Sequence, residues 1–229
     1  MILVNFDFEF MIRIIPIMLK YSTVTIRLSF LAILLGFTIS FFIAIIVYAK
    51  VPILSKVFKV YISFFRGTPL MAQLFCFYFG ILPVFSKLVL KVSSFQAALI
   101  ILSLASSAYM AESLRAAISS IHRGQMEAAQ SIGMTYMQAM FRIILPQAIK
   151  VATPTLFSSF INIIKDTSLV FAIGVKEMMA TAQLEGASGY RYLEAYVCVL
   201  LVYWGITSIM GFVQRRIEVR LGKSVGEIN

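Results

Sequence analysis

Histidine and tryptophan each occur once in this 229-residue chain, cysteine occurs twice, and 10 acidic residues stand against 20 basic ones. Each shortage closes off a chemistry. The lone His122 leaves no HExxH pair and too few ligands for a zinc site. It also gives scant material for a Ser–His–Asp arrangement. No catalytic residue and no metal ligand is assigned. Cys76 and Cys198 both fall inside apolar runs. A disulfide needs an oxidising compartment and close geometry, so two free, buried thiols are expected. A phosphate-cradling loop of the form GxxxxGK[ST] is missing as well. Gly222-Lys223-Ser224 matches its end, but Ile217 occupies the position of the first glycine. There is no Gly/Ser linker, low-complexity tract or repeat of roughly 20–50 residues, so residues 1–229 are read as a single domain.

Charge is absent from long stretches. Leu28–Ala49 is 22 residues without one, and Gly67–Ser86, Val92–Ala111 and Ala195–Gln214 are 20 residues each. A helix crossing a bilayer needs about 20 apolar residues, so these are four spans. Val151–Ile164 is a shorter uncharged run that meets Lys165 and Asp166 and resumes as Thr167–Val175. Taken through the charged pair it is a fifth span. Backbone groups cannot go unpaired in hydrocarbon, and the runs lack the period-two alternation of barrel strands. The expected fold class is therefore all-α: a polytopic membrane protein with about five transmembrane helices.

The net charge of +10 is informative through its placement. With the N-terminus outside and five spans following, twelve Lys and Arg fall on the cytoplasmic side and seven on the outer side. That bias follows the positive-inside rule. Basic residues flanking spans also meet anionic head groups of the lipid bilayer. No polar domain carries an aromatic and basic patch, so nucleic acid is excluded as a partner.

The first twenty residues lack the order of a secretory leader, because Asp7, Glu9, Arg13 and Lys20 lie among the apolar residues rather than before them. Phe8, Met11, Ile12 and Ile15 recur at helical spacing. They predict an interfacial helix lying on the membrane, kinked or ended at Pro16. Connections are expected at Lys50–Arg66 and Glu112–Lys150 inside, and at about Lys87–Lys91 and Lys176–Glu194 outside.

The longest connection holds a polar, helix-prone insert, GQMEAAQSIGMTYMQAMFRIILPQ, Gly124 to Gln147. Gln125–Ile132 is rich in helix formers. Gly133 suits a left-handed C-terminal cap. A second helix follows from about Thr135, with Met137, Met140, Phe141 and Ile144 on one apolar face and Pro146 as its end. The residues alone leave two readings: an amphipathic hairpin at the interface, or a helix that docks in a partner's groove.

The pattern Glu127-Ala128-Ala129, three residues, Gly133, nine residues, Ile143, one residue, Leu145-Pro146 resembles the EAA motif of the membrane subunits of ATP-binding-cassette importers. FRGTPLMAQLF (Phe65 to Phe75), AYMAESLRAAISSIHRGQMEAA (Ala108 to Ala129) and KDTSLV (Lys165 to Val170) look like the polar amino-acid uptake branch of that family. The similarity runs from about Thr25 to Arg216. It implies that the loop at about 119–147 is a coupling helix. Gly124, Glu127, Ala128, Ala129 and Gly133 would then contact a separate cytoplasmic ATPase subunit. His122 is expected to be a loop residue beside that helix. The resemblance further implies an ATPase dimer that binds the ATP and magnesium, so that this chain holds no cofactor and is not itself an enzyme. It implies a second permease subunit, identical or paralogous, and an extracytoplasmic solute-binding protein. The location implied is the bacterial cytoplasmic membrane, with the C-terminus inside.

Charges within a span cost about 2.5–3.5 kcal/mol each on insertion scales. Asp166 lies 12 residues beyond Pro154, or roughly 18 Å along a helix at 1.5 Å per residue, with Asn162 one turn earlier on the same face. Either Asp166 pairs with Lys165 or the backbone, or it lines a translocation path and receives the α-ammonium of an amino-acid substrate. The family position favours the second. Thr68, Ser107 and Glu112 are further candidates for substrate contact, and Glu112 could instead serve a gate. The function expected is import of a polar amino acid such as cystine, glutamine, or a basic or acidic one. The alternatives are an ion-driven secondary transporter, which would need paired broken repeats, and a membrane assembly protein that transports nothing.

The topology is directly testable. A Gln138→Cys variant should resist membrane-impermeant thiol reagents in intact cells and react after permeabilisation; labelling from outside would overturn the N-out, five-span arrangement.

Overall fold

The computed structural model describes residues 6–86 and 91–226. Every regular element among them is helical. In chain order they are α1 (Phe8–Tyr48), α2 (Leu54–Gly67), α3 (Leu70–Phe75), α4 (Leu82–Ser86), α5 (Ser94–Ser120), α6 (Arg123–Ser131), α7 (Tyr136–Ala139), α8 (Leu145–Asp166), α9 (Met178–Gly189) and α10 (Tyr192–Gly226). Wide π turns join α3 to α4 over Cys76–Ile81 and α7 to α8 over Met140–Ile144, and a 3₁₀ segment, Thr167–Ile173, follows α8. Four helical stretches are long and apolar enough to cross a membrane: Phe8–Tyr48, Ser94–Ser120, Tyr136–Ile173 and Tyr192–Arg220. The broken pair Leu54–Gly67 and Leu70–Val84 makes a fifth if counted as one span. Residues 87–90 of the expected outer connection lie outside the described residues.

Polar side chains inside these helices bond back to the chain. Ser29, Thr38 and Ser40 donate to the carbonyls of Thr25, Leu34 and Phe37 at 2.7, 2.9 and 2.8 Å. A hydroxyl that would be costly in hydrocarbon is thereby satisfied within its own helix.

Four sequence expectations are corrected. No separate N-terminal helix ends at Pro16: α1 runs 41 residues through that proline. Phe10, Ile14 and Met18 are buried against Met178, Ala182, Ala195, Cys198 and Val199, so tertiary packing holds the helix across the lost hydrogen bond. Pro146 does not end the second loop helix either. In the π turn before it, the Leu145 N–H bonds Met140 O. That wider spacing makes room for a ring that would clash with the carbonyl of residue i−4 in a regular helix. The connections at Lys50–Arg66 and Lys176–Glu194 are not simple loops, because they contain α2 and α9. Cys76 is exposed, whereas Cys198 is buried; both are free thiols.

Two compact units are formed from interleaved segments. One comprises the chain through Ala32, Pro69–Ser103 and Phe160–Phe212; the other comprises Ile33–Thr68, Leu104–Ser159 and the chain from Val213. In the first unit Glu177 is fully buried. It caps α9 by accepting from the Ala180 N–H at 2.9 Å, and it accepts from Tyr203 at 2.8 Å and Thr25 at 3.3 Å. One carboxylate thus joins α1, α9 and α10. Burial pushes its carboxyl above the usual carboxylate range, against the pull of these hydrogen bonds. The second unit packs small residues tightly: Ala44, Ala117, Ala148 and Ala152 sit among Leu114, Ile118, Met140 and Ile144. Ile43, Val47, Ile62 and Ala111 form a smaller cluster. Alanines let helix backbones approach closely where lipid gives no hydrophobic drive.

Removing the Glu177 carboxylate leaves buried donors without acceptors, each costing about 1–3 kcal/mol. Glu177→Ala should lower the thermal midpoint of the detergent-solubilised chain markedly, and Glu177→Gln, which keeps an acceptor oxygen, should lower it less. A midpoint for Glu177→Ala equal to the parent's would show that the carboxylate does not hold these helices.

Candidate functional site

The polar insert is built by three local devices. His122 is the N-cap of α6: its Nδ1 accepts from the Gly124 N–H at 3.1 Å. A Cβ on Gly124 would lie 3.0 Å from that nitrogen, so a larger residue there would push the His122 ring out of its capping position by a few tenths of an ångström. At the other end Gly133 has φ +86°. Its N–H reaches Gln130 O at 2.9 Å, and the Met134 N–H reaches Ala129 O at 3.1 Å. This pair of bonds is the Schellman closure. The chain then restarts with a capping box: the Gln138 N–H donates to Thr135 Oγ1 at 3.3 Å, and the Thr135 N–H to Gln138 Oε1 at 2.9 Å.

These devices fix which side of the hairpin is bare. Ala129, Met140 and Ile144 are buried. Glu127, Ala128 and Gly133 are exposed, and Gly124 is half-buried. Ile132 is 78% exposed, and Met137 and Phe141 are exposed with it. The four-residue apolar face expected from spacing is therefore split. The π turn adds a residue to the helical repeat, so Met140 and Ile144 turn inward while Met137 and Phe141 do not. An added Cβ at Gly133 would meet nothing within 4 Å, leaving room for an outside surface to approach. Glu127 has no side-chain partner among the described residues.

The candidate substrate residues divide between the units. Asp166 and Asn162 lie in the first, four residues apart at the end of α8. Asp166 is half-buried and Asn162 exposed. Lys165 is exposed and makes no ion pair with Asp166, and Asp166 forms no side-chain cap on the 3₁₀ segment after it. No salt bridge therefore closes between Asp166 and Lys165, although the neighbouring ammonium still acts on the carboxylate through space.

Thr68, Ser107 and Glu112 lie in the second unit. Thr68 has extended backbone at the break after α2, and its hydroxyl donates to Phe64 O at 2.8 Å. Ser107 is fully buried. Its hydroxyl lies 2.6 Å from that of Tyr61, and both reach the Leu104 carbonyl. Ser107 therefore joins α2 to α5 and faces no open space in this conformation. Glu112 is clasped by Arg115 through contacts of 2.5 and 3.0 Å. It lines two cavities, of ≈ 470 and ≈ 640 Å³.

The smaller cavity brings in residues that sequence reasoning missed: Arg66, whose guanidinium stands 5.6 Å from the Tyr109 ring centroid, together with Thr155 and Ser159. The only local signal was the position of Arg66 immediately before Gly67-Thr68-Pro69, where the helix breaks. This cavity offers a guanidinium, a carboxylate and several hydroxyls in a volume of the order used for small-molecule sites.

The described residues thus combine helices long and apolar enough to cross a membrane with a capped polar hairpin that keeps one bare face. Residues 36–223 match the family described as the inner membrane component of binding-protein-dependent transport systems, and the chain belongs to that family. It is 47% identical over 220 residues to a probable amino-acid ABC transporter permease protein, PatM, of Vibrio harveyi, covering 96% of this chain and 98% of that one. It is 38% identical over 223 residues to the L-cystine transport system permease protein TcyL of Bacillus subtilis (strain 168), covering 96% and 93%. Among solved structures, the crystal structure of an amino acid ABC transporter with histidines superposes with a TM-score of 0.86 at 34% identity, over 95% of this chain and 100% of that one. The family is one of transport permeases, seated in the inner membrane by several spans.

Gly133 offers a local test of the hairpin. A side chain in the left-handed region costs roughly 1–2 kcal/mol, and Asn tolerates that region better than a branched residue. Gly133→Leu should speed amide hydrogen exchange at positions 133 and 134 by about tenfold or more, since 1.4 kcal/mol is one decade, with membrane insertion intact. Gly133→Asn should show a smaller effect. Unchanged exchange in the leucine variant would mean that the closure does not depend on glycine.

Proposed function

We propose that this chain is the permease subunit of an ATP-driven importer that carries a polar amino acid across the cytoplasmic membrane. The observation that carries the reading is Asp166: a carboxylate near the end of a span, without an ion-pair partner, in a family whose named relatives handle amino acids. A charge in that position is expensive unless it faces a polar path or a cationic group. The α-ammonium of an amino acid is such a group, and Asn162 one turn away adds a neutral donor and acceptor. In the second unit Thr68, Glu112 and Ser107 are further candidates for substrate contact in their own right, Ser107 through Tyr61.

The bare face of the coupling hairpin, with Gly124, Glu127, Ala128 and Gly133, would dock in a cytoplasmic ATPase subunit, whereas Ala129, expected with them from the motif, is buried and packs inward. Two permease subunits, identical or paralogous, would engage an ATPase dimer, which binds ATP and magnesium. A solute-binding protein would deliver substrate from outside. Closure of the ATPase dimer would draw the coupling hairpins together and turn the path outward. Glu112 supports a second role in this cycle. Its clasp by Arg115 beside two cavities suits a gate that opens when the carboxylate changes partner. Cystine is named for one relative and histidine for one solved structure, and the side chain of this chain's own substrate is to be read from uptake of a labelled amino-acid panel.

Asp166→Asn keeps shape and removes charge. Losing one partner of a buried charge pair costs about 2–5 kcal/mol, so uptake by the reconstituted importer should fall at least about tenfold. Basal ATP hydrolysis and the thermal midpoint should hold. Normal uptake, or a loss matched by misassembly, would remove Asp166 from the path.

A further inference from the structure

The larger cavity, ≈ 640 Å³ in volume, lies among five cations and one carboxylate. Lys50 follows α1, Lys59 and Arg66 come from α2, Arg115 from α5, and Arg123 opens α6. Glu112 is the only acidic residue in the wall, and Arg115 already occupies it. Lys50, Lys59 and Arg123 form no salt bridge among the described residues. Five positive charges converging on one space with a single carboxylate repel one another unless an anion joins them.

The helix that supplies two of these cations has a second face. Lys59 and Arg66 fall with Ile62 and Ser63 on the cavity side of α2, at helical spacing. Val57, Val60 and Phe64, on another face, are 57%, 69% and 54% exposed. Lys50 also stands just past the end of the apolar helix α1, and Arg123 three residues past that of the apolar helix α5, the level at which span-flanking residues meet head groups. A cationic hollow beside a bare apolar helix face, at that level, fits a ligand with an anionic head and an apolar tail.

We propose that this cavity binds the phosphate of an anionic phospholipid, with the acyl chains lying along the exposed face of α2. The ligand is bound and released without any covalent step. The site does not depend on the transport reading: it would hold for any membrane protein with these residues. Basic pockets among helices at the membrane surface recognise such head groups, with each Lys or Arg near an anionic surface contributing about 1 kcal/mol, or about fivefold in affinity.

The test uses the full chain in detergent and follows the thermal midpoint during titration with phosphatidylglycerol, phosphatidylcholine or inorganic phosphate. Phosphatidylglycerol should raise the midpoint of the parent, and the other two should not. Lys59→Gln combined with Arg123→Gln should weaken the apparent affinity about 25-fold, five-fold for each charge. Lys56→Gln removes a charge from an exposed position on α2 outside the cavity wall and should weaken the affinity by no more than about fivefold, the contribution of one charge near an anionic surface. Lys59→Arg combined with Arg123→Lys retains both charges and should retain binding, which separates loss of the site from loss of the fold. The proposal fails if the Gln pair binds like the parent, if Lys56→Gln weakens binding equally, or if phosphatidylcholine stabilises as well. A rise with inorganic phosphate equal to that with phosphatidylglycerol would assign the cavity to a soluble phosphate and overturn the lipid.

Discussion

Hydrocarbon offers no hydrogen-bond partner, so every backbone group within a span must be satisfied by its own chain. Most of this protein follows from that constraint. It makes the described residues helical, and it turns the Ser and Thr hydroxyls of α1 back onto backbone carbonyls. It also sets the terms on which prolines are admitted. Pro16 sits in a helix held by buried packing, and Pro146 follows a wide turn that makes room for its ring. Where the chain does break, at Thr68 and Gly174, polar or left-handed residues mark the place.

Side-chain polarity largely obeys the same rule, and the carboxylates show where it is and is not met. Glu177 is fully buried, yet it is surrounded by donors from its own unit. Asp166 is half-buried and has none. Both are carboxylates in an apolar setting, and the difference between them separates a structural tie from a candidate contact. Glu112 is intermediate, since its partner Arg115 lies one turn away on the same helix and the two can separate without unfolding anything.

Much of the site was legible because its signals are local. The two loop helices, the cap at Gly133 and the restart at Thr135 depend on residues within a few positions, and each appears where its spacing places it. The span containing Asp166 was legible for the same reason. Less legible were α2 and α9. Both are short and mixed in polarity, and their sequences read equally well as connections until partners are supplied. The roles of Ser107 and Glu177 could not be read at all. Ser107 meets a tyrosine 46 residues earlier, and Glu177 meets a threonine 152 residues earlier.

By itself the sequence determined that the chain enters a bilayer, roughly where it crosses, and which polar loop stands apart from the spans. These depend on uncharged length and on short-range caps, which a linear reading measures directly. Only the tertiary structure decided which carboxylates are satisfied, which face of the loop is left bare, and that cations from α2, α5 and α6 and the end of α1 converge on one cavity. Those properties arise between residues far apart in the chain. Periodicity can assign a side chain to a face, but only packing determines what that face meets.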